Sequence, residues 1–291
     1  MDIRVLNYFL TVAREGSISA AAELLHMTQP PLSKQLKELE EELGKQLFIR
    51  GNRKITLTEE GMILRQRAEE MMELMEKTKS EISNTNLSLS GNVYIGTAES
   101  EGVYLISKTI KKMQRLYPNV LFHFTSGNAE EVAEKLEHGL LDFCIVVEPA
   151  NMTNFNFLRL PTSETWGVLM RKDSPLAAKE TITPTDLLSL PLLISRQTMV
   201  ENEISGWLGQ QYENLHIVAT YNLLYNASIM VREGVGYALC LDNIVQTGEG
   251  SPFCFKPLSP ILCSGLSIVW KKYQFFSPAA KKFLELLNED F

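Results

Sequence analysis

A polar segment at Ser83–Gly91 (SNTNLSLSG) divides the chain into two parts with different residue patterns, and no other feature constrains the fold as much. Residues 1–83 carry apolar residues at helical spacing almost throughout, interrupted by one short basic segment. From Gly91 onward, short β-rich runs alternate with amphipathic helical stretches. A polar Ser- and Asn-rich segment between such patterns is typical of a linker. The 291 residues are therefore predicted to form a helical N-terminal part and a separate α/β part.

Two short helices joined by a tight turn are predicted near the N-terminus. Ser17 or Ser19 can cap the first of them. Thr28-Gln29-Pro30-Pro31 begins the second, with Thr28 as its N-cap and the prolines in the first turn, where a missing N–H costs nothing. Gln and Lys near the start of the second helix are typical of a helix-turn-helix that reads base edges, since Gln pairs with adenine and Lys reaches guanine.

A basic hairpin follows these helices. Leu47–Ile49 and Ile55–Leu57 are predicted as strands, and the segment from Lys45 to Lys54 has four cations and no acid. Residues 1–58 carry eight Lys and Arg against seven Asp and Glu, which is a net charge of +1. The remaining residues therefore carry a net charge of −8, which gives −7 for the whole chain. An isolated basic loop is usually a solvated hairpin tip. After a helix-turn-helix, the same loop is predicted to be a wing that contacts the minor groove or phosphates.

Apolar or small residues recur at alternating intervals of four and three from residue 57 to residue 82, which is a heptad pattern. This heptad seam consists of Leu57, Gly61, Leu64, Ala68, Met71, Met75, Thr78 and Ile82. One interpretation is a single amphipathic helix that packs on its own domain. The other, which the length of the helix favours, is a homodimer contact through residues 57–82. Such a dimer would place two recognition helices on a palindromic site.

The part after Gly91 is predicted to alternate strands and helices, with strands at Val93–Thr97, Val120–Thr125 and Phe143–Val147, and this alternation predicts a parallel α/β sheet. A second α/β unit follows, with strands predicted at Trp166–Met170, Leu192–Ile194, Ile217–Thr220 and Tyr237–Leu241. Leu266–Trp270 and the helix Ala279–Asn288 are predicted to return to the first unit. Ligands of such sheets bind beyond the carboxyl ends of the strands. The candidate ligand contacts at these ends are Thr97, Ser100, Thr125, Ser126, Ser195 and Arg196.

The charge of a ligand at these loops stays open. Hydroxyls and helix N-termini suit a carboxylate or another anion. Glu99 and Glu101, which flank Ser100, would instead repel an anion or attract a cation.

Several function classes lack their sequence signals. No apolar run reaches the roughly 18–20 residues of a membrane span, and the apolar stretch Val5–Ala13 is interrupted by polar residues, unlike a signal peptide. A cytoplasmic protein is therefore expected. The four cysteines and four histidines show no metal-ligand spacing, so we expect no metal and no cofactor. A redox pair of Cys254 and Cys263 stays open. Glycine-rich phosphate loops, GxSxG and HExxH are also missing.

The whole chain resembles the LysR-type transcriptional regulators, a large bacterial family. The resemblance rests on Gly16, Ser17, Ser19, Ala21, Ala22, Leu24, Leu25, Thr28, Gln29, Pro30, Pro31, Ser33, Lys34, Leu39, Glu40, Leu43, Gly44, Leu47, Phe48, Arg50, Arg53, Leu57, Thr58 and Gly61. It implies an α/β protein overall, made of a winged helix-turn-helix over residues 1–58, a dimerisation linker helix and hinge over 59–90, and a periplasmic-binding-protein-like effector domain over 91–291. Lobe I would comprise 91–161 and 267–291, and lobe II 162–266.

The resemblance also implies roles for single residues. Those of the recognition helix would be Thr28, Gln29, Pro30, Ser33 and Lys34, and those of the basic wing Arg50, Arg53 and Lys54. The family often has Arg where this chain has Lys34, and Lys lacks the planar fork of Arg, so a phosphate contact is expected there. Ser100, Ser126 and Ser195 would contact the effector.

The expected function is that of a sequence-specific DNA-binding transcriptional regulator, controlled by a small-molecule effector between two lobes and without catalysis. Its expected partners are double-stranded promoter DNA, the effector and further copies of itself, as a homodimer and, as is usual in the family, a homotetramer; RNA polymerase is a candidate partner. The alternative is a solute-binding or enzymatic two-lobed α/β protein with an attached DNA-binding module.

Overall fold

The computed structural model describes residues 1–50, 55–83, 89–196 and 202–291, and the chain forms two compact units, residues 1–83 and 84–291. Within the part of the chain that is described, no helix combines the length and apolar character needed to span a bilayer. Each unit has its own hydrophobic core.

The N-terminal unit consists of helices and one small hairpin. Its elements are α1 (Ile3–Glu15), α2 (Ile18–Leu24), α3 (Gln29–Leu43), β1 (Phe48–Arg50), β2 (Ile55–Leu57) and α4 (Glu59–Ser83). This confirms the predicted helix-turn-helix and the two strands of the wing, which pair antiparallel with Phe48 opposite Leu57. The wing tip, with the predicted contacts Arg53 and Lys54, lies outside the described residues, and so does the side chain of Arg50.

Short polar contacts join the wing to the helices on either side. The Glu40 carboxylate accepts the N–H groups of Leu47 and Phe48, at 2.8 and 3.2 Å. The Thr58 hydroxyl accepts the N–H of Gly61 at 3.0 Å and so caps α4. A Cβ at Gly61 would lie 2.2 Å from the Leu47 carbonyl oxygen. These contacts give physical reasons for the presence of Glu40, Thr58 and Gly61 in the sequence pattern.

The heptad seam divides into two halves with different surroundings. Leu57 and Leu64 pack against the core formed by α1, α2 and α3, because α4 runs back along α1. Met71 and Ile82 are exposed, by 39% and 77%. The seam positions Leu57 and Leu64 therefore cover their own domain, as the first interpretation of the heptad pattern predicted for the whole helix. A second copy of the chain can meet the exposed positions of α4, which include Ile63 in its first half and Met71 in its second.

The C-terminal unit is a mixed sheet covered by helices. Its strands are β3 (Gly91–Thr97), β4 (Val120–Ser126), β5 (Phe143–Val147), β6 (Phe155–Arg171), β7 (Leu192–Ser195), β8 (Ile217–Tyr221), β9 (Tyr237–Leu241), β10 (Phe253–Pro257) and β11 (Cys263–Lys271). Its α-helices are α5 (Val103–Leu116), α6 (Ala129–Glu137), α7 (Pro184–Leu187), α8 (Asn202–Leu208), α9 (Leu224–Arg232) and α10 (Pro278–Asp290).

The order of the strands separates two lobes. It runs β4-β3-β5-β11-β6-β9-β7-β8, with β10 paired to β6. In lobe I, β3 is parallel to β4 and β5, and in lobe II, β7 is parallel to β8 and β9. The long strands β6 and β11 are antiparallel to each other and connect the lobes. The carboxyl ends of the parallel strands of both lobes therefore define the predicted place for a ligand.

A cluster of contacts around Glu148 lies where β11 passes from one lobe to the other. The backbone N–H of Glu148 donates to the Gly265 carbonyl at 2.8 Å, and the Ser267 hydroxyl donates to Glu148 Oε1 at 2.7 Å. Arg159 Nε lies 3.4 Å from the same carboxylate oxygen. A Cβ at Gly265 would lie 2.9 Å from Glu148 Oε2, so the two chain segments approach closely. We call this the Glu148 clasp.

Cys254 and Cys263, which the sequence left open as a redox pair, lie too far apart to form a disulfide. Cys254 lies opposite Met170 of β6, and Cys263 lies opposite Thr165 of the same strand. Five residues of β-strand span roughly 16 Å, whereas disulfide-bonded Cα atoms lie within about 7 Å. A disulfide between Cys254 and Cys263 is thus excluded in this fold.

Candidate functional site

The start of α3 presents polar side chains that its own backbone does not use. Thr28 occupies the N-cap position, as predicted, yet its hydroxyl accepts no N–H from the helix. The reason is that a capping side chain accepts from the second or third helical residue, and these are Pro30 and Pro31, which have no N–H. Thr28, Gln29 and Pro30 are all exposed. The prolines thus leave the Thr28 hydroxyl available to a ligand.

Gln29 is held by a residue of the preceding helix. The Ser19 hydroxyl donates to Gln29 Oε1 at 3.2 Å. The amide NH₂ of Gln29 then remains as a donor, which suits acceptors in the major groove such as guanine N7 and O6 or adenine N7. The bidentate pairing with adenine that the sequence suggested needs Oε1 as well, so Ser19 would have to release it.

Lys34 projects from the same exposed face. Its Nζ lies 3.6 Å from Glu38 Oε1, one helical turn further on, and its side chain is 76% exposed. An exposed pair at this distance contributes about 0–1 kcal/mol, so a phosphate can replace Glu38. Ser33 is half-buried, and Leu32 and Leu36 anchor the opposite face of α3 in the core. The helix therefore combines a rigid apolar face with an exposed polar face.

A cleft between the lobes is the second site, with about 530 Å³ of empty space including its open mouth. Residues at the carboxyl ends of strands, or just after them, line most of it. The described lining residues are Ala98, Glu99, Gly127, Val147, Trp166, Ser195, Tyr221, Asn222, Leu224, Cys240, Leu241 and Ile244.

The predicted ligand contacts differ in where they lie. Ser195 is in the cleft wall. Thr97 is buried and its hydroxyl donates to the Ala98 carbonyl at 2.6 Å, so that hydroxyl is not available to a ligand. The Ser100 hydroxyl oxygen is buried without a partner, but Ser100 is not part of the described lining. The others outside that lining are half-buried Thr125 and exposed Ser126 and Arg196.

The chain's own side chains occupy the two helix N-termini that the sequence suggested for an anion. At α6, the Asn128 side chain accepts the N–H of Glu131 at 2.8 Å, and Glu131 reaches back to the N–H of Asn128 at 3.3 Å. At α5, the buried carboxylate of Glu164 accepts the N–H of Gly102 at 3.1 Å. Ser126 therefore does not cap α6, because Asn128 does.

Glu99 extends from lobe I to a helix of lobe II. Its Oε2 accepts the N–H of Leu224, the first residue of α9. The N-cap position of that helix is Leu223, whose side chain cannot cap it. Glu99 thus replaces the missing cap across the cleft. A carboxylate at a helix N-terminus also interacts favourably with the positive end of the helix dipole.

Burial shifts the pKa values of several groups near the cleft. It raises the pKa of Glu164 above its usual value, although the N–H groups of Gly102 and Glu101 partly offset the effect. Burial also raises the pKa of the Tyr221 hydroxyl, and the charge of Glu99 adds to this rise. That hydroxyl donates to the Leu239 carbonyl at 2.6 Å. Burial raises the pKa of the Cys240 thiol as well, so the thiol stays protonated.

Most lining residues of lobe II escaped the sequence reasoning. Tyr221 and Asn222 end β8 or follow it, and Leu241 ends β9. Both strands were predicted, and the rule about carboxyl ends applied to them as it did to Ser195. Trp166 lies within the strand that connects the lobes, and no local signal marks it as part of a cleft.

Two family models match the chain. Residues 3–62 match the bacterial regulatory helix-turn-helix protein, lysR family, and residues 87–291 match the LysR substrate binding domain. The HTH-type transcriptional regulator BsdA of Bacillus subtilis (strain 168) is 28% identical, with 98% of this chain and all of BsdA covered. The Hca operon transcriptional activator HcaR of Escherichia coli (strain K12) is 27% identical, with 99% and 98% covered.

Solved structures share the fold. The full-length structure of CbnR in complex with its target DNA superposes with a TM-score of 0.74 at 18% identity, with all of both chains covered. A full-length OxyR variant from Pseudomonas aeruginosa gives a TM-score of 0.58 at 24% identity, with 100% and 99% covered.

The raised pKa of Glu164 predicts a pH dependence of stability. Just above the usual glutamate pKa the folded state binds more protons than the unfolded state, so the free energy of unfolding falls as pH rises through this window. We expect Glu164→Gln to remove that fall, so that the variant gains stability relative to wild type as pH rises. Thermal unfolding of the full chain from pH 5 to pH 8 measures this, with the exposed Glu180→Gln as control. Parallel curves for Glu164→Gln and wild type would contradict the prediction.

Proposed function

The chain belongs to the LysR family of bacterial regulatory helix-turn-helix proteins, and we propose that a small molecule bound in the cleft between its lobes controls its action on DNA. It is a DNA-binding transcriptional regulator with an effector-binding domain. The observation that carries the proposal is the cleft itself, whose walls come from both lobes. A ligand in the cleft therefore contacts both lobes, which are connected by the strands β6 and β11.

On the DNA side, we infer a division of labour along α3. Gln29, positioned by Ser19, reads a base through its NH₂ group, whereas Thr28 and Lys34 bind phosphates. Phosphate contacts fix the position of the protein on the duplex, and base contacts select the sequence.

On the ligand side, we infer that the effector acts by changing the angle between the lobes. A ligand shifts such an equilibrium only if it binds one arrangement more tightly than the other. The bond from Glu99 to the N–H of Leu224 exists only when the lobes approach each other, so it marks a closed arrangement. An effector that adds contacts across the cleft favours that arrangement.

We further propose that the cleft binds without catalysis. Among its described lining residues, the thiol of Cys240 is kept protonated by burial and the hydroxyl of Tyr221 is bonded to a backbone carbonyl. No histidine belongs to that lining to activate Ser195. The cleft thus offers surfaces for recognition and lacks an activated nucleophile.

The DNA contacts can be tested by substitution. We expect Gln29→Ala to lower the preference for a selected site over random DNA by about tenfold, since a good base contact contributes about 1–3 kcal/mol. Lys34→Ala should weaken binding to both DNAs equally and reduce the salt slope by about one. The measurement is fluorescence anisotropy at several salt concentrations, with a site selected from a random pool. Equal effects of both variants on both DNAs would refute the division of labour.

The exposed part of α4 predicts self-association. Ile63, Met71 and Leu74 are exposed by 65%, 39% and 41%, and we propose that they meet a second copy of the chain. Sedimentation equilibrium should give at least twice the 32.9 kDa of one chain. Leu74→Glu should shift it toward the monomer, because it places a charge in an apolar contact. Glu73→Ala, at the next position of the helix, is the control. A wild-type monomer at micromolar concentration would rule the contact out.

The role of the cleft is tested by filling it. A thermal-shift screen of metabolites on the full chain identifies stabilising compounds, since a ligand of the folded state raises the melting temperature. Ser195→Trp should abolish this shift and the effect of the compound on DNA binding, while DNA affinity without the compound survives. Ser189→Trp, at an exposed position of the same lobe outside the described lining, should respond like wild type. An unchanged response of Ser195→Trp would place the effector elsewhere.

A further inference from the structure

The charge of the cleft comes from one side chain. Glu99 is the only described lining residue with a charged side chain. Its Oε2 accepts the N–H of Leu224, and no Lys, Arg or His of the described chain forms a salt bridge with it. Oε1 therefore has no hydrogen-bond donor among the described residues. A carboxylate oxygen without a partner at the wall of a cleft attracts a positively charged donor.

Three helix N-termini of the C-terminal unit that could receive an anion are already engaged. Helix N-termini are the usual anion sites in such a fold. Here Glu164 occupies that of α5, Asn128 and Glu131 occupy that of α6, and Glu99 occupies that of α9. An anionic ligand at α9 would have to displace Glu99, leave its charge nearby and compete with a cap that Leu223 cannot replace. The occupied starts of these three helices therefore disfavour an anion there.

The other residues that line the cleft favour a ligand with an apolar body. The indole N–H of Trp166 donates to the Ser264 hydroxyl at 2.8 Å, and the Tyr221 hydroxyl donates to the Leu239 carbonyl. The donors of both rings are thus engaged within the protein. Val147, Leu241 and Ile244 add aliphatic surface. Aromatic rings near a cation also attract it through their negative faces.

We propose that the cleft binds a small protonated amine with an apolar body, whose ammonium group donates to Glu99. This rests on the proposed function, in which the cleft is the effector site. The ammonium group binds Glu99 Oε1 while Oε2 keeps its bond to the N–H of Leu224. The amine therefore adds to the contact between the lobes, and an anion would break it.

The test compares amines and carboxylates that share a carbon skeleton. The probes are benzylamine and benzoate, isopentylamine and isovalerate, and tryptamine and indole-3-acetate, each titrated into the full-length protein. Isothermal titration calorimetry gives the Kd, and the melting temperature gives an independent readout. We expect the amine of at least one pair to bind about tenfold more tightly than its carboxylate.

Glu99→Gln is the decisive variant, because it removes the charge and keeps an oxygen that can accept the N–H of Leu224. It should bring the amine-to-carboxylate ratio close to one. Glu101→Gln, which removes an exposed charge from the same loop, should leave the ratio as in wild type. Circular dichroism of both variants confirms that they fold.

The outcomes separate this inference from the proposed function. Tighter binding of carboxylates, or an amine preference that persists in Glu99→Gln, overturns the amine assignment. If carboxylates bind and Ser195→Trp blocks them, the cleft stands as the effector site and only the amine fails. Absence of binding by every probe overturns the amine assignment as well. The proposal that the cleft is the effector site is rejected only if the metabolite screen, too, yields no stabilising compound whose effect Ser195→Trp removes.

Discussion

The backbone N–H groups at a helix N-terminus need acceptors, and the C-terminal unit meets this need with carboxylates from distant parts of the chain. Glu164, on the strand that connects the lobes, binds the N–H of Gly102 at the start of α5. Glu99, three residues earlier in the same loop, caps α9 of the other lobe. The loop that follows β3 is thus held at both ends, by the connecting strand and by lobe II. These two bonds hold the Glu99 carboxylate at the cleft wall and add a contact between the lobes to the one that β6 and β11 make.

The N-terminal unit meets the same requirement in a different way. At α3 the second and third residues are Pro30 and Pro31, which have no N–H groups, so the helix start needs fewer acceptors. The side chains of Thr28 and Gln29 are therefore not consumed by the helix, and Ser19 holds Gln29 in place. The starts of α5 and α9 are thus closed by carboxylates, whereas the start of α3, for which we propose DNA contacts, keeps Thr28 and Gln29 exposed. The difference follows from the residues at two positions.

Local sequence patterns predicted the elements well where burial is uniform. Phe143–Val147 and Tyr237–Leu241 have the predicted bounds because each is a run of residues that are nearly all buried. The first half of β6 was missed, since it is largely exposed and contains Pro161. The cleft lies at the carboxyl ends of the strands, where the sequence placed it, but of the predicted contacts only Ser195 belongs to its described lining. Glu99 and Leu224 are 125 residues apart, and Glu164 and Gly102 are 62 apart. Spacing along the chain carries no information about such contacts.

The Glu148 clasp limits how the lobes can move. Two hydrogen-bonded antiparallel strands pass between them, and sliding one strand along the other would break the ladder and turn every side chain to the other face of the sheet. Twisting and bending leave the ladder intact. The close approach of Glu148 to Gly265 leaves no slack at this point. The two lobes can therefore change their relative orientation by twisting and bending at this pair of strands, and not by sliding. We infer that any compound bound in the cleft changes one variable, the angle between the two lobes.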